Sequence, residues 1–416
     1  MRRTSKNSSP KLSSESHRLS DLAHAMTQAS SRLEERMWER SLDTMLQKML
    51  KNGHQDNIDA ALELAFSSKD SAYDALLETL EANSESCVIE HKGIAYDVLL
   101  IAAPILAWTR FSIPTGPIAS DMMATLSAHL CAHVLAPGVR LGIAPMLYSL
   151  DQLPQAHKDI FALTHQLAQA ALKGSTFIVS KKLEDTAPFL ADPRYLVAAV
   201  VAPIGEPLFN WQNDFNPKGR EEALMQWKKQ ALPNISRLLP GCGVELLLPE
   251  AFFIACQEAD KKIRPASIIA AVNYIITHLS VEAKELQAII GGFGDESTHG
   301  QIDEYRISFT LDQNPDVLYG VVWPIYGDEI EDVMMSELAH DQDIQLVLPT
   351  TDTPTPMEQI LTLLRESGIT HIKHHEGCFP PDVCDDCGTP YYLDMQGELV
   401  HPEMPEDAHP GASHLH

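Results

Sequence analysis

Three cysteines and a histidine near the C-terminus are the residues whose types and spacing best fit a chemical role. Cys384 and Cys387 belong to a Cys-x-x-Cys-Gly turn, with Cys378 upstream and His401 downstream. Such a turn points two thiolates and successive backbone amides at one point, and its glycine permits the tight backbone. A structural zinc site is closed by four ligands. The sequence therefore predicts one structural zinc ion held by Cys378, Cys384, Cys387 and His401.

Other interpretations of this segment stay open. His374 and His375 are substitute ligands, because the second half of the site is not a clean Cys-x-x-Cys. The thiols could also be reduced and unliganded, or serve in redox chemistry. Asp385 and Asp386 lie between the two thiols and are expected to raise the thiol pKa, which argues against a reactive thiolate.

Polar and aromatic residues that follow apolar strands form a second candidate site, for a ligand rather than a metal. They are Trp108, Arg110, Glu206, Trp211 and Asp328. In open α/β sheets, ligands bind beyond the carboxyl ends of parallel strands. Ordinary polarity of surface loops is the competing account. If a ligand site exists, we expect Arg110, Trp211 and Asp328 to meet around one concavity.

Familiar catalytic motifs are absent from the sequence. It contains no Gly-x-Ser-x-Gly elbow, P-loop lysine motif, His-Glu-x-x-His or Rossmann glycine fingerprint. The sequence therefore favours a non-catalytic module that binds a small molecule or a protein. The alternative is an enzyme, a hydrolase or transferase, that acts on a small polar molecule at the loops after the repeated strands.

Recurring apolar strands that end in proline must position these loops. The segment from Tyr96 to Ile105 matches the one from Tyr195 to Ile204 almost position for position, and Val317 begins a looser third copy. The pattern predicts an internal repeat of strand–loop–helix–strand units. Near-continuous apolar strands separated by helices favour largely parallel pairing. We expect three units to superimpose: residues 94–149, 194–250 and 316–350.

The fold class that follows is α/β with mixed α+β character. It combines an N-terminal helical region, the repeated units with a mixed sheet, and a small C-terminal segment resembling a zinc knuckle. A hairpin that pairs Leu286–Phe293 with Tyr305–Leu311 makes the sheet mixed. The predicted boundaries are a disordered basic tail (1–17), the helical region (18–86), the first α/β unit (87–193), the second and third units (194–373), the Cys/His knuckle (374–405) and a disordered tail (406–416).

Composition limits the partners and the compartment. The 416 residues carry a net charge of −26, which repels nucleic-acid backbones and anionic membrane surfaces. No stretch reaches the ~20 apolar residues that span a bilayer, and no secretory signal is recognised. The seven cysteines are unevenly spread, which favours a reducing compartment over a disulfide framework. We expect a soluble, cytoplasmic, acidic protein, and the sequence leaves its oligomeric state open.

Several segments resemble one family. They are Ser31 to Trp38, Tyr96 to Arg110, Leu147 to Pro154, Cys384 to Gly388, and Glu398 to Pro405. The family is uncharacterised, is found mainly in β-proteobacteria, and is catalogued only as a domain of unknown function. The resemblance covers nearly the whole chain. It implies a bacterial, cytoplasmic protein and brings no activity to carry over.

Overall fold

Helices and strands intermix along the chain in a mixed α+β arrangement, which confirms the predicted fold class. The computed structural model describes residues 13–67, 71–179, 189–212, 216, 218–294, 301–312, 314–327, 329 and 354–404. Among these residues, no helix is both long enough and apolar enough to cross a membrane.

Four helices open the described chain and share one apolar core. They are α1 (Ser14–Thr27), α2 (Arg32–Asn52), α3 (Gln55–Ser67) and α4 (Ala72–Glu85). Leucines at helical spacing, such as Leu19, Leu46 and Leu76, are fully buried between them. The Ser13 side chain caps α1 by accepting a hydrogen bond from the Ser16 amide. Residues 14–17, which the sequence assigned to the disordered tail, are therefore the first turn of α1.

A sheet with helices on both faces follows the helical bundle. Its elements in chain order are β1 (Ser86–His91), β2 (Ile94–Trp108), β3 (Gly116–Pro117), α5 (Ser120–His133), β4 (Arg140–Ile143), β5 (Met146–Leu147), α6 (His157–Lys173), β6 (Ala191–Pro203), α7 (Gly219–Leu238), β7 (Gly243–Leu246), β8 (Glu250–Ala251) and α8 (Phe252–Leu279). We call the sheet formed by β1, β2, β4, β6, β7 and β8 the first sheet. The short strands β3 and β5 form a separate two-stranded sheet.

The two long strands at the centre of the first sheet, β2 and β6, run antiparallel. Strands β1, β7 and β8 pair antiparallel with β2, and β4 pairs antiparallel with β6. The expectation of largely parallel pairing is therefore wrong for this sheet. Its basis was the continuous apolar run of each strand, but burial on both faces produces such a run whatever the strand direction.

The side chains of β2 and β6 alternate between two helical layers. Residues such as Ile101 and Ala198 pack against α5 and α7. Residues such as Leu100 and Val197 pack against α6 and α8. The first sheet is thus the middle layer of an α/β/α arrangement, with one apolar core on each of its faces.

A second, mixed sheet packs against the other half of α8. Its elements are β9 (Leu286–Phe293), β10 (Glu304–Leu311), β11 (Asn314–Pro324), α9 (Pro356–Glu366) and β12 (His371–Phe379). The strand order is β11-β10-β9-β12, with β12 parallel to β9 and the other pairs antiparallel. The pairing of β9 with β10 confirms the predicted hairpin.

The third predicted repeat belongs to this second sheet rather than the first. Its opening strand is β11, and its predicted second strand at residues 344–349 lies outside the described residues. Whether the first two units superimpose stays a prediction, although in each a long strand is followed by a helix and then by a short strand.

Candidate metal centre

The Cys-x-x-Cys-Gly turn folds into a closed loop beside the second sheet. The Cys384 amide donates to the Thr389 carbonyl and the Gly388 amide donates to the Cys384 carbonyl, both at 2.8 Å. Gly388 has φ +75°, a left-handed conformation that favours glycine. Val383 and Pro390 pair across the base of the loop. We call residues 382–391 the knuckle.

Three of the four predicted ligands converge at this loop. The ligand atoms of Cys384, Cys387 and His401 all lie within 4.8 Å of one another, and Cys387 Sγ is 3.1 Å from His401 Nε2. A tetrahedral zinc ion with ordinary bond lengths separates sulfur from nitrogen by about 3.6 Å and sulfur from sulfur by about 3.8 Å. The donor set therefore fits a zinc ion after shifts of about 1 Å or less in the distances between ligand atoms.

A small hairpin returns the chain so that His401 reaches the cysteines. Strands β13 (Tyr392–Leu393) and β14 (Leu399–Val400) pair antiparallel directly before the histidine. Beyond it, the Glu403 amide donates to the Val317 carbonyl of β11 at 2.8 Å. Glu403 Oε1 lies 4.0 Å from His401 Nδ1, on the side of the ring away from Cys387. At 4.0 Å the carboxylate is an ion-pair neighbour of the ring and not a hydrogen-bond acceptor that fixes its orientation.

A buried arginine of the second sheet holds both flanks of the knuckle. Arg306 Nη1 donates to the Asp382 carbonyl at 2.9 Å and to the Tyr391 carbonyl at 2.6 Å. Its Nε donates to Glu304 at 2.6 Å, and the guanidinium carbon lies 4.3 Å from the Phe293 ring centroid. Only 2% of the Arg306 side chain is exposed. The arginine therefore fixes the knuckle to β10 by charge-assisted hydrogen bonds at its two ends.

Two glycines of the second sheet make room for the hairpin strand β13. A Cβ at Gly320 would collide with the Tyr392 ring, and a Cβ at Gly291 would collide with the Leu393 side chain. Tyr392 and Leu393 are both buried, and Ser308 Oγ donates to the Leu393 carbonyl at 2.6 Å. The sheet therefore holds β13 by packing that needs no metal.

The fourth predicted ligand, Cys378, lies outside this cluster. It sits on β12 opposite Gly292, and its Sγ contacts the Gln301 carbonyl at 3.6 Å. The β12–β9 ladder resumes at Cys378 after a register shift and continues to Phe379, so the backbone of Cys378 is fixed in the sheet before the knuckle begins. His375 Nε2 lies 3.1 Å from the Asp394 carbonyl, and neither His374 nor His375 belongs to the cluster.

The electrostatics of Cys387 differ from the sequence expectation. Hydrogen bonds from the hydroxyl and amide of Thr389 hold the pKa of Cys387 below its usual value. The charge of Asp386 acts in the opposite direction and is the smaller effect. A lowered pKa favours the thiolate, which is the form that binds metal and the form that attacks electrophiles.

The polar loop residues do not share one place on the first sheet. Trp108 lies opposite Ala191 at one end of the β2–β6 pair, whereas Glu206 follows Pro203, which lies opposite Tyr96 at the other end. The rise per strand residue puts these ends roughly 40 Å apart. Antiparallel pairing is the reason, because the carboxyl ends of β2 and β6 point in opposite directions.

The remaining loop candidates have local contacts. Trp211 stacks on Phe209 with ring centroids 4.5 Å apart, and the Arg220 guanidinium lies 5.4 Å from the Trp211 ring. Arg110 is exposed just beyond β2, in the loop that also follows Trp108. Asp328 lies outside the described residues. The described loop residues therefore lie in two separate places.

Fold and site together define a mixed α+β protein with a candidate metal centre of two cysteines and one histidine. The chain belongs to the family described as "Protein of unknown function (DUF2863)", whose model matches residues 4–415. No curated protein and no solved structure matches the chain.

Proposed function

We propose that this protein binds one zinc ion through Cys384, Cys387 and His401, and that the ion has a structural role in a non-catalytic binding or interaction module. The observation that supports the proposal is the approach of the three ligand atoms to within 4.8 Å of one another. Thiolate and imidazole are ligands that zinc prefers, and the lowered pKa of Cys387 favours the form that binds it.

Three protein ligands leave one position of a tetrahedral ion open, so the structural role is inferred from what the ion would join and not from the ligand count. The knuckle is fixed at its two flanks by Arg306, and His401 comes from the chain beyond the β13–β14 hairpin. An ion shared by Cys384, Cys387 and His401 closes this loop against the hairpin. The wide separation of Trp108 from Glu206 also supports a non-catalytic role, because the polar loops of the first sheet do not form one constellation.

The compartment we propose is the reducing cytoplasm of a bacterial cell. All seven cysteines lie in the described part of the chain, and none of them forms a disulfide there. Reduced thiols are typical of intracellular proteins. Zinc-bound cysteines also require the reduced state.

A second candidate function is an enzyme with Cys387 as nucleophile. The Cys387 Sγ to His401 Nε2 distance of 3.1 Å is within hydrogen-bond reach, and the pKa of Cys387 is lowered. A thiolate beside an imidazole can attack a carbonyl or phosphoryl group, as in hydrolases and transferases. The same two side chains cannot serve as free nucleophile and as zinc ligands together, so metal content separates the two functions.

The test is a titration of purified, metal-free protein with Co²⁺ and then Zn²⁺. We expect thiolate-to-cobalt charge-transfer absorption, displacement by one equivalent of zinc, and protection of Cys387 from iodoacetamide by the ion. Cys387→Ser and His401→Gln should weaken zinc binding by more than the roughly 10–100-fold typical of lost outer-shell partners. Cys378→Ser is the matched control and should bind zinc as the unaltered protein does.

Two results would count against the structural role. Protein that binds no cobalt or zinc, and whose Cys387 is alkylated rapidly with or without zinc, fits the nucleophile instead. Equal loss of affinity in Cys378→Ser would mean that the ligand set is wrong.

A further inference from the structure

An open depression of about 730 Å³ lies on the first sheet, at the beginning of β2. Its volume is that of a typical small-molecule site. The charged residues among those that line it are Asp97 and Glu206, both acidic. The lining also includes two carboxamides, those of Gln47 and Gln212, and the apolar side chain of Leu99.

The loop that forms one wall is held in place. Asp97 Oδ2 accepts a hydrogen bond from the Gly205 amide at 3.1 Å. Gln212 Oε1 accepts hydrogen bonds from the Leu208 and Phe209 amides, each at 2.8 Å. Glu206 therefore projects from a loop with a fixed backbone, and a ligand there would not have to order it.

The strand register relates this depression to the opposite end of the sheet. Tyr96 of β2 lies opposite Pro203 of β6, and Tyr195 of β6 lies opposite Pro104 of β2. The register is therefore symmetric about the Leu100–Ala199 pair, with four further pairs toward Tyr96 and eight toward Trp108. Each strand runs from an equivalent tyrosine toward a loop that lies beside the start of the other strand.

At the opposite end, the residue that the register relates to Ala95 is an arginine, Arg194. Arg194, directly before Tyr195, donates from Nε to the Pro114 carbonyl at 3.0 Å and from Nη2 to the Ile113 carbonyl at 2.9 Å, in the loop after β2. It also pairs with Asp192 and is almost completely buried. Its guanidinium thus ties the start of β6 to the neighbouring loop.

The residue directly before Tyr96 is Ala95, which supplies no such group. Ala95 shares a strand face with Asp97 and Leu99, because side chains alternate along a strand. Arg194 occupies the corresponding face of β6, together with Leu196 and Ala198. The depression therefore lies beside the start of β2, as the Arg194 guanidinium lies beside the start of β6, and it presents the carboxylates of Asp97 and Glu206.

We infer that the depression binds a small organic cation, a guanidinium carried on a short aliphatic stem. A planar guanidinium matches carboxylate oxygens with paired hydrogen bonds, and the aliphatic stem can pack on Leu99. The two carboxylates supply charge, and the net charge of −26 raises the local concentration of cations. This site and the metal centre use different residues, so either can exist without the other.

Isothermal titration calorimetry with butylguanidinium tests the inference, with butylurea as the neutral probe of the same shape. We expect saturable binding of the cation. Butylurea should bind at least roughly tenfold more weakly, because a charge-assisted hydrogen bond is lost. Glu206→Gln and Asp97→Asn should each weaken cation binding roughly tenfold. Glu63→Gln, an exposed change on α3, is the control and should leave it unaltered.

Ala95→Arg gives an independent readout. The new side chain should reach the depression as Arg194 reaches its loop, raise the melting temperature, and abolish butylguanidinium binding. Absence of binding to the unaltered protein, equal affinity for butylurea, or full affinity in Glu206→Gln and Asp97→Asn would each overturn the inference. A folded Ala95→Arg variant that still binds the cation normally would overturn the equivalence with Arg194.

Discussion

Replacing Arg306 by methionine should weaken zinc binding although residue 306 contacts no metal ligand directly. Arg306 donates to the Asp382 and Tyr391 carbonyls at the two flanks of the knuckle and to Glu304. Methionine keeps the apolar contacts of the stem but provides no donor. The knuckle then loses its attachment to β10. Part of the free energy of zinc binding must therefore be used to order the knuckle.

The expected loss of zinc affinity in Arg306→Met can be estimated from these hydrogen bonds. Removing one partner of a buried ion pair costs about 3–5 kcal/mol, and the lower end applies because 23% of the Glu304 side chain is exposed. Two charge-assisted bonds to the knuckle are also lost, each worth about 1.5–3 kcal/mol. If about half of the cost of these two bonds, about 1.5–3 kcal/mol, falls on the zinc-bound state, zinc affinity falls on the order of ten- to a hundredfold.

Arg264→Met is the matched control, because Arg264 is equally buried but remote in sequence from the knuckle. Its guanidinium pairs with Glu329 through two bonds of 2.8 and 2.9 Å and donates to the Pro324 carbonyl at 2.7 Å. Zinc affinity is measured by competition with a chromophoric chelator, and stability by urea unfolding. Both variants should lose stability, and only Arg306→Met should lose affinity. Equal zinc affinity in the two variants would refute the attachment argument.

Two further predictions concern packing and pH. Gly320→Ala should displace Tyr392, cost about 1–3 kcal/mol of stability, and speed amide exchange in residues 392–400, as seen by hydrogen-exchange mass spectrometry; unchanged exchange there would contradict the packing. Burial raises the pKa of Glu85 to about 7 in the folded protein, against a usual value of 4.5, so folding binds a proton and stability falls as pH rises between those values. Glu85→Gln can still accept a hydrogen bond from the Phe253 amide. At pH 8 its free energy of unfolding, measured with urea, should exceed that of the unaltered protein by on the order of 2–3 kcal/mol, and at pH 4.5 it should not. An identical pH dependence of stability in the two proteins would contradict this.

Local patterns in the sequence predicted local structure well. The two short apolar runs Leu286–Phe293 and Tyr305–Leu311 identified the β9–β10 hairpin, since runs of that length separated by a polar, glycine-containing segment are typical of neighbouring strands. The Cys-x-x-Cys-Gly turn identified Cys384 and Cys387, because the geometry of that motif lies within a few residues. His401 was found for its residue type and position near the turn.

Features that depend on strand direction could not be predicted in the same way. The apolar runs of β2 and β6 are equally compatible with parallel and antiparallel pairing, so the loops after them were wrongly expected at one edge. Cys378 was chosen for its position in the sequence, which cannot show that β12 carries it in a ladder with β9. Arg306 was not identified from the sequence. Two opposite charges at alternating positions of an apolar strand, Glu304 and Arg306, could have indicated a buried ion pair.

X-ray absorption at the zinc edge, on untagged protein purified from its own host, tests the central claim most directly. We predict close to one zinc per chain, with two sulfur neighbours at about 2.3 Å and nitrogen or oxygen neighbours at about 2.0–2.1 Å. Two sulfurs correspond to Cys384 and Cys387, with Cys378 left in the sheet. A zinc content near zero would contradict the account, and three or four sulfur neighbours would contradict the ligand set on which it rests.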